Sequence, residues 1–184
     1  MGPDRRPRPR PRGWGHAGAP AGIALGAALF NRLEGIRFDP SSGGFLLTST
    51  SGGEARLGQV WHYHPRREQL TLFFESPGGS VLDSPDNLAV SPRGGILLCE
   101  DDASGTDGDT HPLAPGIRDV NRLVGLTPRG EVFELAVNTL NDTELAGVTF
   151  SPDGRVLFVN VFGDGTPGSG MTCAVTGPWR RGCL

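Results

Sequence analysis

One short phrase occurs three times in this chain of 184 residues, beginning at Glu34, Asp86 and Ala146. Each copy alternates apolar and polar residues, as Ile36 and Phe38 show, and then ends in proline, a glycine turn and a second apolar run. This alternation is typical of a strand that is half buried against its neighbours. A unit of short strands and turns that recurs about every 50 to 60 residues is typical of a β-propeller blade.

The strands that follow each phrase give the size of the blades. The first two units continue into a third strand, at 58–63 and 121–126, and a fourth, at 70–74 and 131–136. The third unit has a third strand at 172–175. Because four strands make one blade, the sequence predicts an all-β fold: a partial β-propeller over residues 22–179, with about three four-stranded blades of a larger ring arranged radially.

Three blades are too few to close a ring, since the usual minimum is about four. We therefore expect this chain to be part of a larger propeller. Either further blades lie upstream in the natural protein, which is the favoured interpretation, or a second chain completes the ring. Without one of them, unpaired strand edges would be exposed, and natural sheets normally cover such edges.

The N-terminal residues differ in composition from the rest. Residues 1–20 are rich in proline and arginine, which predicts a disordered or extended tail rather than a nucleic-acid contact. No apolar run approaches the roughly 20 residues of a membrane span, and no convincing signal peptide is present. Three cysteines without zinc-like spacing do not support a disulfide framework, and we expect Cys99 to be a small core residue.

Acidic residues begin two of the three phrases, at Glu34 and Asp86. In a propeller the innermost strands line the channel, so these carboxylates should converge on one axis, where they could bind a cation. Arg32 lies two residues before Glu34 and should project from the same face, where its guanidinium could hold two phosphoryl oxygens. Glu144 falls at the position of Arg32 in the third unit, which makes Glu34, Asp86 and Glu144 a partial ligand set. The competing interpretation of Arg32 with Glu34 is a channel salt bridge without substrate.

A second ring of candidate ligands lies where the second strands end. Ser49, Glu100 and Asn160 align there, and Glu100 is the candidate metal ligand among them. A solvated acidic turn is the competing interpretation for Glu100, and it is the favoured one for Asp101 and Asp102.

Several separate motifs, in this order, resemble the C-terminal half of the PhoX-type alkaline phosphatases. The resemblance covers roughly residues 22–179 and rests on these segments: Arg32-Leu33-Glu34-Gly35, Gly58-Gln59-Val60-Trp61, Pro85-Asp86-Asn87-Leu88, Leu98-Cys99-Glu100-Asp101, the run 150–160, and Thr176-Gly177-Pro178-Trp179.

This resemblance implies a metal-dependent phosphomonoesterase that is folded as a propeller and exported to the periplasm by the twin-arginine route. It implies Ca²⁺ and Fe³⁺ sites in the channel, with Arg32 as a phosphate contact and Glu34 and Asp86 as metal ligands. The N-terminal half of the family, which supplies further ligands including an iron-bound cysteine, has no counterpart in this sequence. The chain alone is therefore expected to be weak or inactive.

Two alternatives stay open at the level of the sequence. One is a calcium-dependent propeller hydrolase of the lactonase type, which uses channel carboxylates but no phosphate-binding arginine. The other is a propeller fragment without catalytic activity, which could serve as an interaction surface. Trial substrates distinguish the first from a phosphatase.

Overall fold

The structure is a computed structural model that describes residues 18–102 and 109–181. Most of the predicted tail, residues 1–17, lies outside the described residues. Of the described residues, 18–30 belong to one compact unit and those from Asn31 to 181 belong to another. The first unit contains helix α1 (Gly18–Ala24), which includes the last three residues of the predicted tail. Pro20 lies in the first turn of α1, where the missing backbone N–H costs no hydrogen bond. The described residues contain no helix with the length and apolar character needed to span a membrane.

The second unit consists of short antiparallel strands. Their bounds are β1 Leu33–Asp39, β2 Gly44–Ser49, β3 Gln59–His64, β4 Gln69–Glu75, β5 Pro85–Val90, β6 Ile96–Glu100, β7 Arg122–Leu126, β8 Val132–Val137, β9 Leu145–Phe150, β10 Val156–Val161 and β11 Met171–Thr176.

Three sheets follow one another along the chain, in the orders β1-β2-β3-β4, β5-β6-β7-β8 and β9-β10-β11. The first strands lie side by side, β1 against β5 and β5 against β9. Side chains of the first sheet donate to the backbone of β5: the Thr48 hydroxyl of β2 to the Asp86 carbonyl at 2.6 Å, and Arg37 Nε of β1 to the Leu88 carbonyl at 3.1 Å. The predicted partial propeller is confirmed, and we refer to the three sheets as blades 1, 2 and 3.

Strand alternation places the two apolar cores between neighbouring blades. In β6, Ile96 and Leu98 belong to the core between blades 1 and 2, whereas Leu97 and Cys99 belong to the core between blades 2 and 3. Trp179 closes the second core, where its ring meets that of Phe150 edge to face at 5.8 Å. The predicted core position of Cys99 is confirmed, because its side chain is fully buried.

The same backbone contact recurs at the start of each blade. In each blade, the residue directly before the first strand accepts a hydrogen bond at its carbonyl oxygen from the backbone N–H of the residue directly after the second strand, at 2.9 Å. The pairs are Arg32 with Thr50, Ser84 with Asp101, and Glu144 with Phe162. Each first strand also carries a β-bulge close to this contact. Bulges re-aim side chains and often occur beside functional sites.

Candidate metal and phosphate site

The first strands β1, β5 and β9 lie side by side, and we call the surface that they form the channel surface. Three carboxylates converge at the end of this surface where the strands begin. Asp86 lies near the start of β5, Asp101 directly follows β6, and Glu144 directly precedes β9. One oxygen atom from each lies within 4.8 Å of the others, and all three side chains are half buried. We call Asp86, Asp101 and Glu144 the acidic cluster.

Strand alternation explains how Asp101 reaches the acidic cluster. Residues two apart on a strand share a face, so Asp101 continues the face of Leu97 and Cys99 that points toward blade 3. Its backbone N–H donates to the Ser84 carbonyl at 2.9 Å, which fixes its position beside the start of β5. The predicted solvated turn is therefore wrong for Asp101, and Asp102 is buried as well. Assigning the two faces of β6 to their neighbouring blades would have predicted this position of Asp101.

The Pro-Asp-Asn motif has a structural role around the cluster. Asn87 Nδ2 donates to Asp86 Oδ2 at 3.0 Å, and Asn87 Oδ1 accepts from the Gly147 backbone N–H at 2.7 Å. Asn87 thus links the cluster carboxylate of blade 2 to the backbone of blade 3. It thereby restrains the orientation of the Asp86 carboxylate within the cluster.

Burial and mutual repulsion shift the protonation of the acidic cluster. Burial, the Asp101 carboxylate and a hydrogen bond with Asp101 raise the pKa of Glu144 to about 7, and Asp86 adds to the shift. Burial and the charges of Glu34 and Asp101 likewise raise the pKa of Asp86. A hydrogen bond between two carboxyl groups requires one proton, so below about pH 7 the cluster holds a proton that a cation could replace.

Arg32 and Glu34 lie at the edge of the acidic cluster. Arg32 Nη2 lies 2.9 Å from Asp101 Oδ2, and Arg32 Nε lies 3.7 Å from Glu34 Oε1. Arg32 precedes β1 and has a positive φ of 53°, so the predicted common strand face is not what brings it close to Glu34. Both side chains are about half exposed, which leaves the guanidinium accessible to a ligand. Glu34 lies outside the group of three, so its role as a ligand stays a prediction.

Glu100 is placed differently from the other predicted ligands. Its fully buried carboxylate accepts from Arg122 Nε at 2.7 Å, from Arg122 Nη2 at 2.5 Å, and from the backbone N–H groups of Arg122 and Asp83 at 2.9 and 2.8 Å. Both oxygens are therefore occupied. This geometry favours a structural ion pair over the predicted metal-ligand role, and we leave Glu100 out of the ligand set proposed below.

The predicted second ring does not form. Ser49 and Glu100 pair with the equivalent residues Leu33 and Pro85, but in blade 3 the equivalent pair is Val161 with Leu145, and Asn160 lies one residue out of register. The Ser49 hydroxyl donates to the Asn31 carbonyl at 2.7 Å, and Asn160 Oδ1 accepts from the Thr172 hydroxyl at 2.7 Å. Each side chain is thus satisfied within its own blade.

Radial antiparallel sheets of three or four strands, with a polar cluster at one end of their first strands, define a β-propeller whose candidate site faces the channel. The chain belongs to the alkaline phosphatase PhoX family, whose model matches residues 18–168. The structure of Pseudomonas fluorescens PhoX in complex with vanadate, a transition state analogue, is similar in fold, with a TM-score of 0.64 and 21% sequence identity. The match covers 85% of this chain and 35% of that one.

Two further structures are similar at a lower level. A candidate 6-phosphogluconolactonase from Bacteroides uniformis has a TM-score of 0.44 at 16% identity, over 84% of this chain and 42% of that one. A candidate gluconolactonase has a TM-score of 0.36 at 12% identity, over 81% of this chain and 65% of that one. Both scores are too low to support an argument about this chain. No curated protein sequence matches it.

The raised pKa of Glu144 predicts a pH-dependent stability. An unfolded glutamate deprotonates near its ordinary value of 4.5, whereas folded Glu144 keeps its proton to about pH 7. The stability that Glu144 contributes below pH 4.5 is therefore lost as the pH rises through about 7. We expect the melting temperature of the metal-free protein to fall between pH 5 and pH 8, as followed by circular dichroism, and Glu144→Gln to reduce that fall. An equal fall in the variant would contradict the assignment.

Proposed function

We propose that this chain supplies part of the active site of a metal-dependent phosphomonoester hydrolase. In this site Asp86, Asp101 and Glu144 bind a calcium ion and Arg32 binds the phosphoryl group. The observation that carries the proposal is the convergence of three carboxylates with an accessible guanidinium 2.9 Å from one of them. Membership of the PhoX family supports the same activity.

The chemistry of the acidic cluster fits calcium. Ca²⁺ prefers six to eight oxygen ligands, and carboxylates are its usual side-chain ligands in proteins. The three carboxylates lie within 4.8 Å of one another, and the pKa values of Asp86 and Glu144 are raised. Arg32 offsets part of their negative charge. A bound cation would relieve this repulsion. The three residues are a partial ligand set, which other residues, water or substrate would complete.

Ferric iron fits the described residues less well. The family resemblance places the iron-bound cysteine in the N-terminal half, which has no counterpart in this sequence. Of the cysteines that the structure describes, Cys99 is buried, and burial raises the pKa of its thiol to about 12. Cys173 lies on β11, the outermost strand of blade 3. Neither cysteine offers a thiolate to the acidic cluster. An iron site would therefore need ligands other than the cysteines that this structure describes.

Arg32 has the properties that phosphate binding requires. A guanidinium presents parallel N–H donors that match two phosphoryl oxygens, and it stays charged at any pH at which the enzyme could work. The ion pairs of Arg32 with Asp101 and Glu34 hold its guanidinium beside the acidic cluster, where the first strands begin. There it would orient a phosphomonoester and offset the charge that develops on the phosphoryl oxygens. A bound metal ion would supply Lewis-acid polarisation of the phosphate and activation of water.

Replacing Arg32 tests this proposal. In a protein that carries this segment within a complete propeller, we expect Arg32→Ala to lower kcat/KM for 4-nitrophenyl phosphate, in the presence of calcium, by about 100-fold or more. Arg32→Lys should recover only part of the activity, because an ammonium group lacks the bidentate geometry. Arg155→Ala is a matched control, since Arg155 forms an exposed ion pair with Asp153 outside the site.

Each other outcome favours a different function. Phosphatase activity that is unchanged in Arg32→Ala would refute the phosphate-binding role. Hydrolysis of lactones without phosphatase activity would favour the lactonase-type alternative. A folded complete propeller that binds calcium but hydrolyses neither substrate would favour the non-catalytic alternative.

A further inference from the structure

The segment Thr48-Ser49-Thr50, where β2 ends, carries three hydroxyl groups in succession, and all three residues are buried. Each hydroxyl donates to a backbone carbonyl oxygen outside β2; the pairs are Thr48 with Asp86 at 2.6 Å, Ser49 with Asn31 at 2.7 Å, and Thr50 with Pro85 at 3.0 Å. We call this segment the hydroxyl clamp. Its partners lie on both sides of the candidate site, which gives it a place between the phosphate contact and the metal ligands.

On one side the hydroxyl clamp holds the backbone of Arg32. The Ser49 hydroxyl donates to the Asn31 carbonyl, and the Thr50 backbone N–H donates to the Arg32 carbonyl at 2.9 Å. The peptide groups before and after the Arg32 Cα are therefore both fixed. Arg32 has a φ of 53°, a conformation that a residue other than glycine keeps only where its surroundings hold it. These two hydrogen bonds set the direction in which the Arg32 side chain leaves the backbone.

On the other side the hydroxyl clamp holds the start of β5. The Thr48 and Thr50 hydroxyls donate to the consecutive carbonyls of Asp86 and Pro85, and Asp86 belongs to the acidic cluster. Thr48 Oγ1 also accepts from the Gly35 backbone N–H at 2.8 Å. Gly35 permits this close approach of β1 to β5, because a Cβ atom there would lie 2.5 Å from the Asp86 carbonyl oxygen. The clamp thus ties the blade that carries Arg32 to the blade that carries Asp86.

The architecture of a blade does not require hydroxyl groups at these positions. In register with the first strands, the equivalent segments are Cys99-Glu100-Asp101 in blade 2 and Asn160-Val161-Phe162 in blade 3. Neither segment contains a hydroxyl group. Blade 1, which carries Arg32, has three in succession, so the clamp accompanies the arginine rather than the fold.

We propose that the hydroxyl clamp positions Arg32 for phosphate binding by fixing the distance and direction of its guanidinium relative to the acidic cluster. This inference rests on the proposed function, in which Arg32 binds the phosphoryl group. The Arg32 side chain is 51% exposed and meets the cluster only through Asp101 among the described residues, so its backbone has to set its reach. A bidentate contact with two phosphoryl oxygens tolerates little displacement. The clamp residues are positioning residues, because they act through Arg32 and Asp86.

Replacing Ser49 tests the side that holds Arg32. In the complete propeller used for Arg32→Ala, we expect Ser49→Ala to weaken the binding of inorganic phosphate in the presence of calcium about tenfold, because the guanidinium loses its fixed direction. Isothermal titration calorimetry measures this affinity. Calcium affinity in the absence of phosphate should stay unchanged, since Ser49 holds no carboxylate of the cluster. Ser76→Ala is the matched control, because it removes another buried serine hydroxyl, which donates to the Leu82 carbonyl.

Replacing Thr48 tests the side that joins the blades. Thr48→Val keeps the shape of the side chain but removes the hydroxyl, and it should lower phosphate affinity and kcat/KM for 4-nitrophenyl phosphate by a similar factor. Thr48→Ser keeps the hydroxyl and should restore both. Circular dichroism checks that each variant is folded.

A double-mutant cycle separates positioning from a general effect on the fold. If Ser49 acts through Arg32, Ser49→Ala should have little further effect on phosphate affinity in a protein that already carries Arg32→Ala. Additive effects of the two substitutions would overturn the inference. Phosphate affinity that falls in Arg32→Ala but not in Ser49→Ala or Thr48→Val would overturn it as well, while leaving the proposed function in place. Unchanged affinity in Arg32→Ala would instead refute the proposed function, and the inference with it.

Discussion

Arg122→Met is expected to destabilise the protein by about 3–5 kcal/mol, which is the usual cost of removing one partner of a buried ion pair. Arg122 is only 7% exposed, and it makes two hydrogen bonds to the fully buried carboxylate of Glu100. It also donates to the carbonyl oxygens of Gly79, at 2.6 Å, and Ser80, at 3.1 Å. Its loss leaves a buried charge and two carbonyl groups without these donors. Chemical denaturation with circular dichroism measures the change.

Two controls separate the buried pair from a general effect of removing arginine. Arg155→Met removes the exposed partner of Asp153 and should cost less than about 1 kcal/mol. The double variant Arg122→Met with Glu100→Gln should be more stable than Arg122→Met alone, since it carries no uncompensated carboxylate. A loss below 1 kcal/mol for Arg122→Met would contradict a structural role for the pair.

The double variant Asp101→Asn with Glu144→Gln is expected to abolish measurable calcium binding to the chain. Loss of a residue that only orients a metal ligand lowers metal affinity by about 10- to 100-fold. Neutralising two proposed ligands should therefore lower it by more than about 1,000-fold. Both substitutions keep the side-chain volume, so the fold should persist. Isothermal titration calorimetry with calcium at about pH 8 measures the affinity, and at that pH Glu144 is mostly deprotonated.

Asp153→Asn is the matched control for this experiment. Asp153 is an exposed aspartate in the turn between β9 and β10, where it accepts hydrogen bonds from Ser151 and Arg155. Its substitution should leave calcium affinity unchanged. Calcium that binds the double variant as tightly as the unaltered chain would place the metal elsewhere and would refute the acidic cluster as a calcium site.

The sequence was sufficient to predict the blades because their signals are local. Alternation in residues 34–38 and its two repeats, together with the proline and glycine turns, predicted strands whose bounds agree with the structure to within about two residues. Helix α1 was missed, since its apolar, glycine-containing stretch has neither polar caps nor a clear helical period.

Predicting the site was harder because its geometry depends on contacts between blades. Asp86 and Glu144 were candidates from the repeat alone, and the structure brings them together. Glu100 and Asp101 are neighbours in sequence, but one faces Arg122 and the other faces blade 3. The repeat gives their register, yet it does not reveal which face of β6 meets which neighbour. The partner of Glu100, Arg122, follows a long loop and has no acidic or basic equivalent in blade 1, where Gln59 lies at the corresponding position of β3.

The recurring carbonyl contact at the start of each blade has an evolutionary consequence. The same main-chain hydrogen bond fixes the backbone of Arg32, Ser84 and Glu144, so the scaffold accepts a cation, a hydroxyl group or a carboxylate at the same location. After duplication of an ancestral blade, each copy could diverge at this location with little penalty to folding. Single substitutions at these three equivalent positions can then change the chemistry of the site while the architecture stays the same.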